Sequence, residues 1–360
     1  MEYSVKEIHF ELSNKCNAYC PQCFRARTDT SKWSSTDQSI SAFKEFYPVE
    51  FLKNLKSVLF CGNVSDPVAS SDFLEIVEYM RSLNDKLKIR IATNGSLRST
   101  SWWERLGSLG CVCTFGLDGS TQETLEMYRR NCNFDKIVKN AEAFISSGGK
   151  ARWQFIIFKH NQHQLEEAKL MAEKLGFFDF KSFNSDRFSR SPTLTYEWKN
   201  EEYTLEIADG DYKYKYDNKG TIRETFLINV HDDKTSTSTD TILKQLETYE
   251  KENNIDIICK SYDNISKTKI DKMFYNSTGH IVPCCWHGAT LSEFIYDNKP
   301  LPVDFTEIYN VIGIDNLDST KYDFDHVYSH YIKLCELLEE SWKTPHNTIK
   351  KCTFQCGVKI

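Results

Sequence analysis

The sequence predicts an α/β fold: six strand–helix units over residues 6–188, an inserted mostly β segment, and a small C-terminal region. Three observations carry this. Short apolar or alternating runs recur between stretches of helical periodicity, the order that gives a parallel sheet with crossover helices. Several of these runs end in polar turns, at residues 62–67, 93–95 and 118–119. Polar groups at the C-terminal ends of strands face the mouth of a parallel barrel. After residue 187 the repeat stops.

The elements follow in order. Ile8, Phe10 and Leu12 alternate with polar residues as a first strand over 8–12. Residues 28–41 are polar and read as a loop, and residues 42–54 have helical spacing interrupted by Pro48. Residues 57–61 are a compact apolar strand, and Asp72 stands where it would cap a helix over 73–83. A third strand spans 88–92, a helix 102–109, a fourth strand with its exit turn 112–119, a helix 133–147 and a fifth strand 152–158. The helix over 162–175 places Leu165, Ala168, Leu170, Ala172 and Leu175 mostly inward, and the sixth strand is 178–183. His160 and His163 flank a helix start and read as solvated caps. Beyond 187, residues 196–198, 203–205 and 225–228 suggest short antiparallel strands, followed by a helix over 242–253.

The chain has 360 residues, enough for one large domain and a smaller one. The expected division is 1–186, 187–258 and 259–360. The net charge is -6 with no Lys/Arg stripe, so no nucleic-acid partner is expected. No signal-peptide pattern opens the sequence and no apolar run approaches membrane-spanning length, so no membrane role is expected and a reducing cytoplasm is. There, thirteen cysteines argue for metal ligation over disulfides. Cys111, Cys113 and Cys132 lack a partner at metal spacing and read as core or surface thiols.

Cys16, Cys20 and Cys23 stand at C-x3-C-x2-C directly after the first strand. Three thiolates in one tight loop hold three irons of a 4Fe–4S cluster and leave the fourth iron open. A structural zinc loop is the competing reading, but zinc sites close with four ligands and no fourth Cys or His follows nearby.

The motif and its surroundings resemble the radical S-adenosylmethionine (SAM) enzymes. The resemblance implies a partial (β/α)6 TIM-type barrel whose open iron is chelated by SAM. Reductive cleavage of SAM then yields methionine and a 5′-deoxyadenosyl radical that abstracts a substrate hydrogen. It implies that Gly62, Asn63 and Asp66 lie at the turn that binds the SAM amino group. Here Gly-Asn and Asp-Pro are set two residues further apart than the family's usual form. It further implies that Thr93 and Asn94 border the SAM site, and that Asp118 opens the segment bringing Arg129 to the SAM carboxylate. The family's Tyr-Arg-Gly is Tyr128-Arg129-Arg130 here, and Arg130 is expected to be solvated.

A weaker likeness lies in the C-terminal region. Gly279 to Cys284 is a G-x4-C unit and Cys352 to Gly357 is C-x3-C-G. These resemble the twitch or reduced SPASM auxiliary-cluster domain, which implies a second 4Fe–4S cluster on Cys259, Cys284, Cys352 and Cys356, with zinc as the alternative metal. Cys284 is preferred over Cys285 by its place in the motif. The resemblance implies an enzyme acting on a peptide or small biosynthetic intermediate, with an electron donor such as flavodoxin or ferredoxin. The first strand begins within ten residues of the N-terminus. A fused leader-peptide-binding domain is therefore not expected ahead of it. The competing function is a non-catalytic iron–sulfur or zinc protein acting as a binding partner. An ordinary SAM-dependent methyltransferase would need a glycine-rich first βα turn and no cysteine triad.

Overall fold

Six parallel strands form the frame of the computed structural model, which describes residues 2–185, 187–188, 191–209, 255–257, 271–343, 352 and 357–359. They are β1 (Glu7–Phe10), β2 (Ser57–Phe60), β3 (Lys88–Thr93), β4 (Val112–Gly116), β5 (Lys150–Ile157) and β6 (Asp179–Asn184), each hydrogen-bonded to the next. Helices α1 (Ile40–Phe46) and α2 (Val49–Asn54) cross from β1 to β2. The later crossovers are α3 (Phe73–Leu83), α4 (Thr100–Ser108), the pair α5 (Gln122–Glu126) and α6 (Phe134–Ser146), and α7 (Leu165–Lys174). This is the expected partial-barrel α/β arrangement. Pro48 separates α1 from α2, because it cannot supply an interior helix N–H.

The strands bury alternate residues. Ile8, Phe10, Val58, Phe60, Ile91, Phe115 and Trp153 enter one core with Phe73, Ile76, Trp103, Ile137 and Phe144 from the helices. Gly107 lets α4 meet α6 at close range; a Cβ there would lie 2.3 Å from the Phe144 carbonyl oxygen. The opposite strand faces carry polar residues held in pairs. Arg90 meets Glu7 at 2.9 Å, Arg152 meets Asp179 at 2.6 Å, and His9 Nε2 donates to the Cys61 carbonyl at 2.7 Å.

Three local expectations need correction. The Asp72 side chain does not cap α3; its carboxylate accepts from Ile40 N at 2.9 Å and so caps α1, which the fold brings alongside. Leu170 is 65% exposed, because it lies on the side of α7 opposite the buried Ala168 and Ala172. His160 is half-buried, stacked on Phe158 at 5.4 Å, and burial pushes its pKa down to about 4.

The inserted segment begins with a hairpin of β7 (Thr193–Trp198) and β8 (Glu201–Glu206). Lys199 and Asn200 take positive φ between them, as a two-residue primed turn demands. Strand β9 (Ile255–Ile257) pairs with β12 (Gly357–Lys359). The strand expected at 225–228 and the helix at 242–253 lie outside the described residues. Farther on, β10 (Lys272–Tyr275) joins β1 in parallel and β11 (Ile281–Val282) turns back antiparallel. β10 and β11 thus belong to the same sheet as β1–β6. Helices α8 (Cys285–Asp297), α9 (Val303–Ile312) and α10 (Phe324–Trp342) follow. Among the described residues no helix is long and apolar enough to cross a membrane.

Candidate active site at the mouth of the sheet

The chain leaves β1 into the cysteine loop, and hydrogen bonds pin that loop on three sides. The Lys15 carbonyl accepts from Asp66 N at 2.9 Å, the Arg130 carbonyl accepts from Tyr19 N at 3.0 Å, and Asn17 Nδ2 donates to Ser96 Oγ at 2.8 Å. Cys16, Cys20 and Cys23 are all half-buried. Asn94 Nδ2 lies 3.9 Å from Cys16 Sγ, and Arg129 Nη1 lies 3.7 Å from Cys20 Sγ. Burial pushes the Cys20 thiol up to about 11 and Cys16 well above its ordinary value. Such sulfurs stay protonated until a positive partner compensates the thiolate, which a metal does.

The 62–66 turn is held from below. Glu11 Oε1 accepts from Val64 N at 2.7 Å, Ser65 N at 3.1 Å and Ser65 Oγ at 3.2 Å. Gly62 is required at this crowding, since a Cβ would stand 2.3 Å from Ser65 Oγ and 2.7 Å from Glu11 Oε1. The Asp66 carboxylate accepts from Thr93 Oγ1 at 2.8 Å and from Asn94 N at 2.7 Å, locking this turn to the next one. Asn63 Nδ2 donates to the Cys285 carbonyl at 2.9 Å, so its amide is engaged at the start of α8.

Asp118 is fully buried. Its carboxylate accepts from Arg129 Nε at 2.7 Å and from Ile156 N at 2.7 Å. Gly116 leaves room for that guanidinium; a Cβ would lie 2.7 Å from Arg129 Nη2. Arg130, expected in solvent, is 4% exposed. A desolvated guanidinium needs donors satisfied and faces covered. Tyr196 OH takes its Nε and Nη2 at 3.1 and 2.7 Å, and the Tyr203 ring lies 3.9 Å from it. Tyr19 of the cysteine loop stacks on Trp198 at 5.0 Å. The β7–β8 hairpin therefore roofs the loop.

The fold brings Cys16, Cys20, Cys23, Asn94, Asp118 and Arg129 to one mouth, with Gly62, Asp66 and Thr93 supporting them. Among the described residues no three His, Cys, Asp or Glu side chains converge as the cage of a single metal ion would require. An iron–sulfur cluster asks for less, one thiolate per iron. Three thiols in one loop, two of them faced by an amide and a guanidinium, fit that demand. In the C-terminal region Cys284 stands at the N-cap position of α8 without a side-chain cap bond, Cys352 is half-buried, and Cys259 and Cys356 lie outside the described residues.

Glu11 went unnoticed in the sequence. The signal was the polar pair His9 and Glu11, alternating with the buried Ile8, Phe10 and Leu12 along and just past β1. Burial pushes the Glu11 carboxyl from its ordinary 4.5 up to about 7. Its folded pKa is raised, so the stability it contributes is complete below 4.5 and is lost as pH rises through 7. Parent stability relative to Glu11→Gln should fall across that window by up to about 3 kcal/mol. Denaturant unfolding at several pH values measures this, and a flat difference would show the carboxyl already ionised.

Residues 10–173 match the model of the Radical SAM superfamily. This stretch is a radical SAM domain. No curated relative matches the chain. Among solved structures, SuiB of Streptococcus suis bound to S-adenosylmethionine is 17% identical, with a TM-score of 0.51 over 97% of this chain and 77% of that one. Another SuiB structure is 18% identical, with a TM-score of 0.48 over 83% of this chain, and the chain spans only 63% of its length. The enzyme anSMEcpe with bound AdoMet is 16% identical, with a TM-score of 0.48 over 98% of this chain and 88% of that one. At these identities, what the SAM-bound SuiB structure shares with this chain is the fold. The superfamily match over residues 10–173 implies a 4Fe–4S cluster and SAM for this stretch, which carries the cysteine loop that would take the cluster.

Proposed function

We propose that this chain is a radical SAM enzyme acting on a peptide or a small biosynthetic intermediate. The carrying observation is the cysteine loop set against Asn94 and the Asp118–Arg129 pair at the C-terminal ends of the strands. Cys16, Cys20 and Cys23 would hold the cluster. When bound, a reduced 4Fe–4S cluster with an open iron supplies cleavage of SAM and a carbon radical able to take an unactivated hydrogen. The chain's own residues do the placing. The Gly62–Asp66 turn and Thr93–Asn94 form one rigid rim, tied through the Asp66 carboxylate. Arg129 brings positive charge to the rim. The β7–β8 hairpin covers the loop from solvent. Electrons would come from a small donor such as flavodoxin or ferredoxin, in the cytoplasm.

The test is product formation. Anaerobically reconstituted, reduced protein should convert SAM to 5′-deoxyadenosine, and deuterium should pass into that product from the true substrate in a labelled pool. No 5′-deoxyadenosine under reducing conditions would leave a binding protein instead. Within this reading Arg129→Ala should weaken SAM binding roughly ten- to a hundredfold, the range for one charged hydrogen bond. Arg130→Ala should weaken it less while raising amide exchange across β7 and β8. The reverse ranking in equilibrium binding would move the SAM contact to Arg130.

A further inference from the structure

The face of the sheet turned away from the helices is not packed. Cys113, Phe115, Trp153 and Phe155 enter the helix-covered core, and Phe180 of β6 packs on the two β5 rings. Period-two alternation puts Thr114, Gln154 and Lys181 on the other face. There Thr114 and Gln154 are half-buried and Lys181 is exposed. A closed barrel fills such a face with a packed core; here, among the described residues, it stays part-open. Its arginines are matched, Arg90 by Glu7 and Arg152 by Asp179. Glu11, at its C-terminal end, is engaged by the 62–66 turn. Thr114, Gln154 and Lys181 have no side-chain partner among the described residues, and their polar atoms are open to solvent.

These three side chains are neighbours. Gln154 stands opposite Lys181 in the β5–β6 register and opposite Gly116 in the β4–β5 register. Thr114 lies two residues before Gly116 on β4. Adjacent strands are about 4.8 Å apart, so the three groups share one patch. Gly116 is where the Arg129 guanidinium lies, and that guanidinium faces Cys20. The patch therefore begins one strand away from the mouth that carries the cysteine loop. The same face has an excess of positive charge. Lys88 and Lys150, at the N-terminal ends of β3 and β5, alternate onto it with Lys181, and none of the three is in an ion pair among the described residues. A few converging polar groups on an open wall orient a ligand, and an unpaired cation among them selects its charge.

We propose that Thr114, Gln154 and Lys181 are specificity-determining contacts for the substrate, and that the substrate carries an anionic group, a carboxylate or a phosphate, seated at Lys181. The Lys181 ammonium is a point charge with three donors and serves either anion. The Gln154 amide and the Thr114 hydroxyl each donate and accept, so they read polar groups next to the anion. Neutral and cationic substrates leave Lys181 without a counter-charge and are disfavoured. The inference deepens the radical SAM reading and rests on it for the reaction, but anion binding at Lys181 does not need SAM cleavage.

Two readouts on the full-length protein test this. In the first, an amine-acylating reagent labels the lysines and mass spectrometry follows each site with succinate, inorganic phosphate or neutral succinamide present. Labelling of Lys181 should slow several-fold with succinate or with phosphate, and the better protector names the anion. Lys169, exposed on α7, should not respond. Gln154→Glu sets a carboxylate opposite Lys181 and should abolish the protection. In the second, a pool of metabolites and peptides is separated by charge and each fraction is added to reduced, reconstituted protein with SAM. The anionic fraction should raise 5′-deoxyadenosine formation. Lys181→Met should raise the amount of that fraction needed for half-maximal rate about 10- to 100-fold with the maximal rate little changed, and Lys181→Arg should restore most of it. No protection by either anion, equal protection by succinamide, or stimulation by the neutral or cationic fraction alone would overturn the proposal. Absence of 5′-deoxyadenosine under every condition would sink the radical SAM reading and leave the labelling result standing, so the two failures are distinguishable.

Discussion

Replacing Cys16, Cys20 or Cys23 singly by alanine is expected to reduce 5′-deoxyadenosine formation to background while the protein still folds. Each thiolate would serve its own iron, so none substitutes for another. The sulfurs are half-buried in a loop, outside the apolar core built by β1–β5 and their helices. Removing one empties no core volume, and the cavity cost of a buried large-to-small change does not arise. The loop keeps its ties at Lys15 and Tyr19, which are backbone bonds. Chromatography of the reduced reaction and a thermal melt of the same sample give the two readouts. A variant that cleaves SAM at the parent rate would remove that cysteine from the site, and one that unfolds would make the loop part of the fold.

The largest expected loss of stability is Asp118→Ala. The carboxylate is fully buried and serves two donors, Arg129 Nε and Ile156 N. Without it, a guanidinium whose side chain is 17% exposed keeps its charge with no counter-ion. Breaking a buried pair from one side costs about 3–5 kcal/mol, and the Ile156 N–H is orphaned as well. Asp118→Asn retains the acceptor for Ile156 and should lose less. Urea unfolding of the two variants gives the comparison. A loss under about 1 kcal/mol for Asp118→Ala would mean that water reaches the pair, as at surface bridges. Arg129 also faces Cys20, so Asp118→Ala should loosen the cysteine loop before the sheet unfolds.

Much of the frame was legible because its signals are local. Strand alternation has period two and shows within five residues, and α3 falls on residues 73–83 as its spacing predicts. The cysteine loop was legible for the same reason. The structure places Arg129, Asp118 and Asn94 beside it. What stayed hidden depends on partners far along the chain. Arg130 reads as a surface residue until Tyr196 and Tyr203 close over it. Asp72 looks like the cap of its own helix and serves another. Asn63 sits in the expected SAM turn, yet its amide is bonded 222 residues away at Cys285.

By itself, the sequence determined the α/β repeat, the order of its strands and a three-thiol loop at the end of the first one. These follow from short-range periodicity and from thiol chemistry, both readable without a partner. The tertiary structure alone decided that β10 and β11 extend the same sheet, that Glu11 pins the 62–66 turn, and that His287 faces Cys352. The physical reason is desolvation. A polar group taken out of water must find its partner wherever the fold puts one, and sequence distance sets no limit on that search.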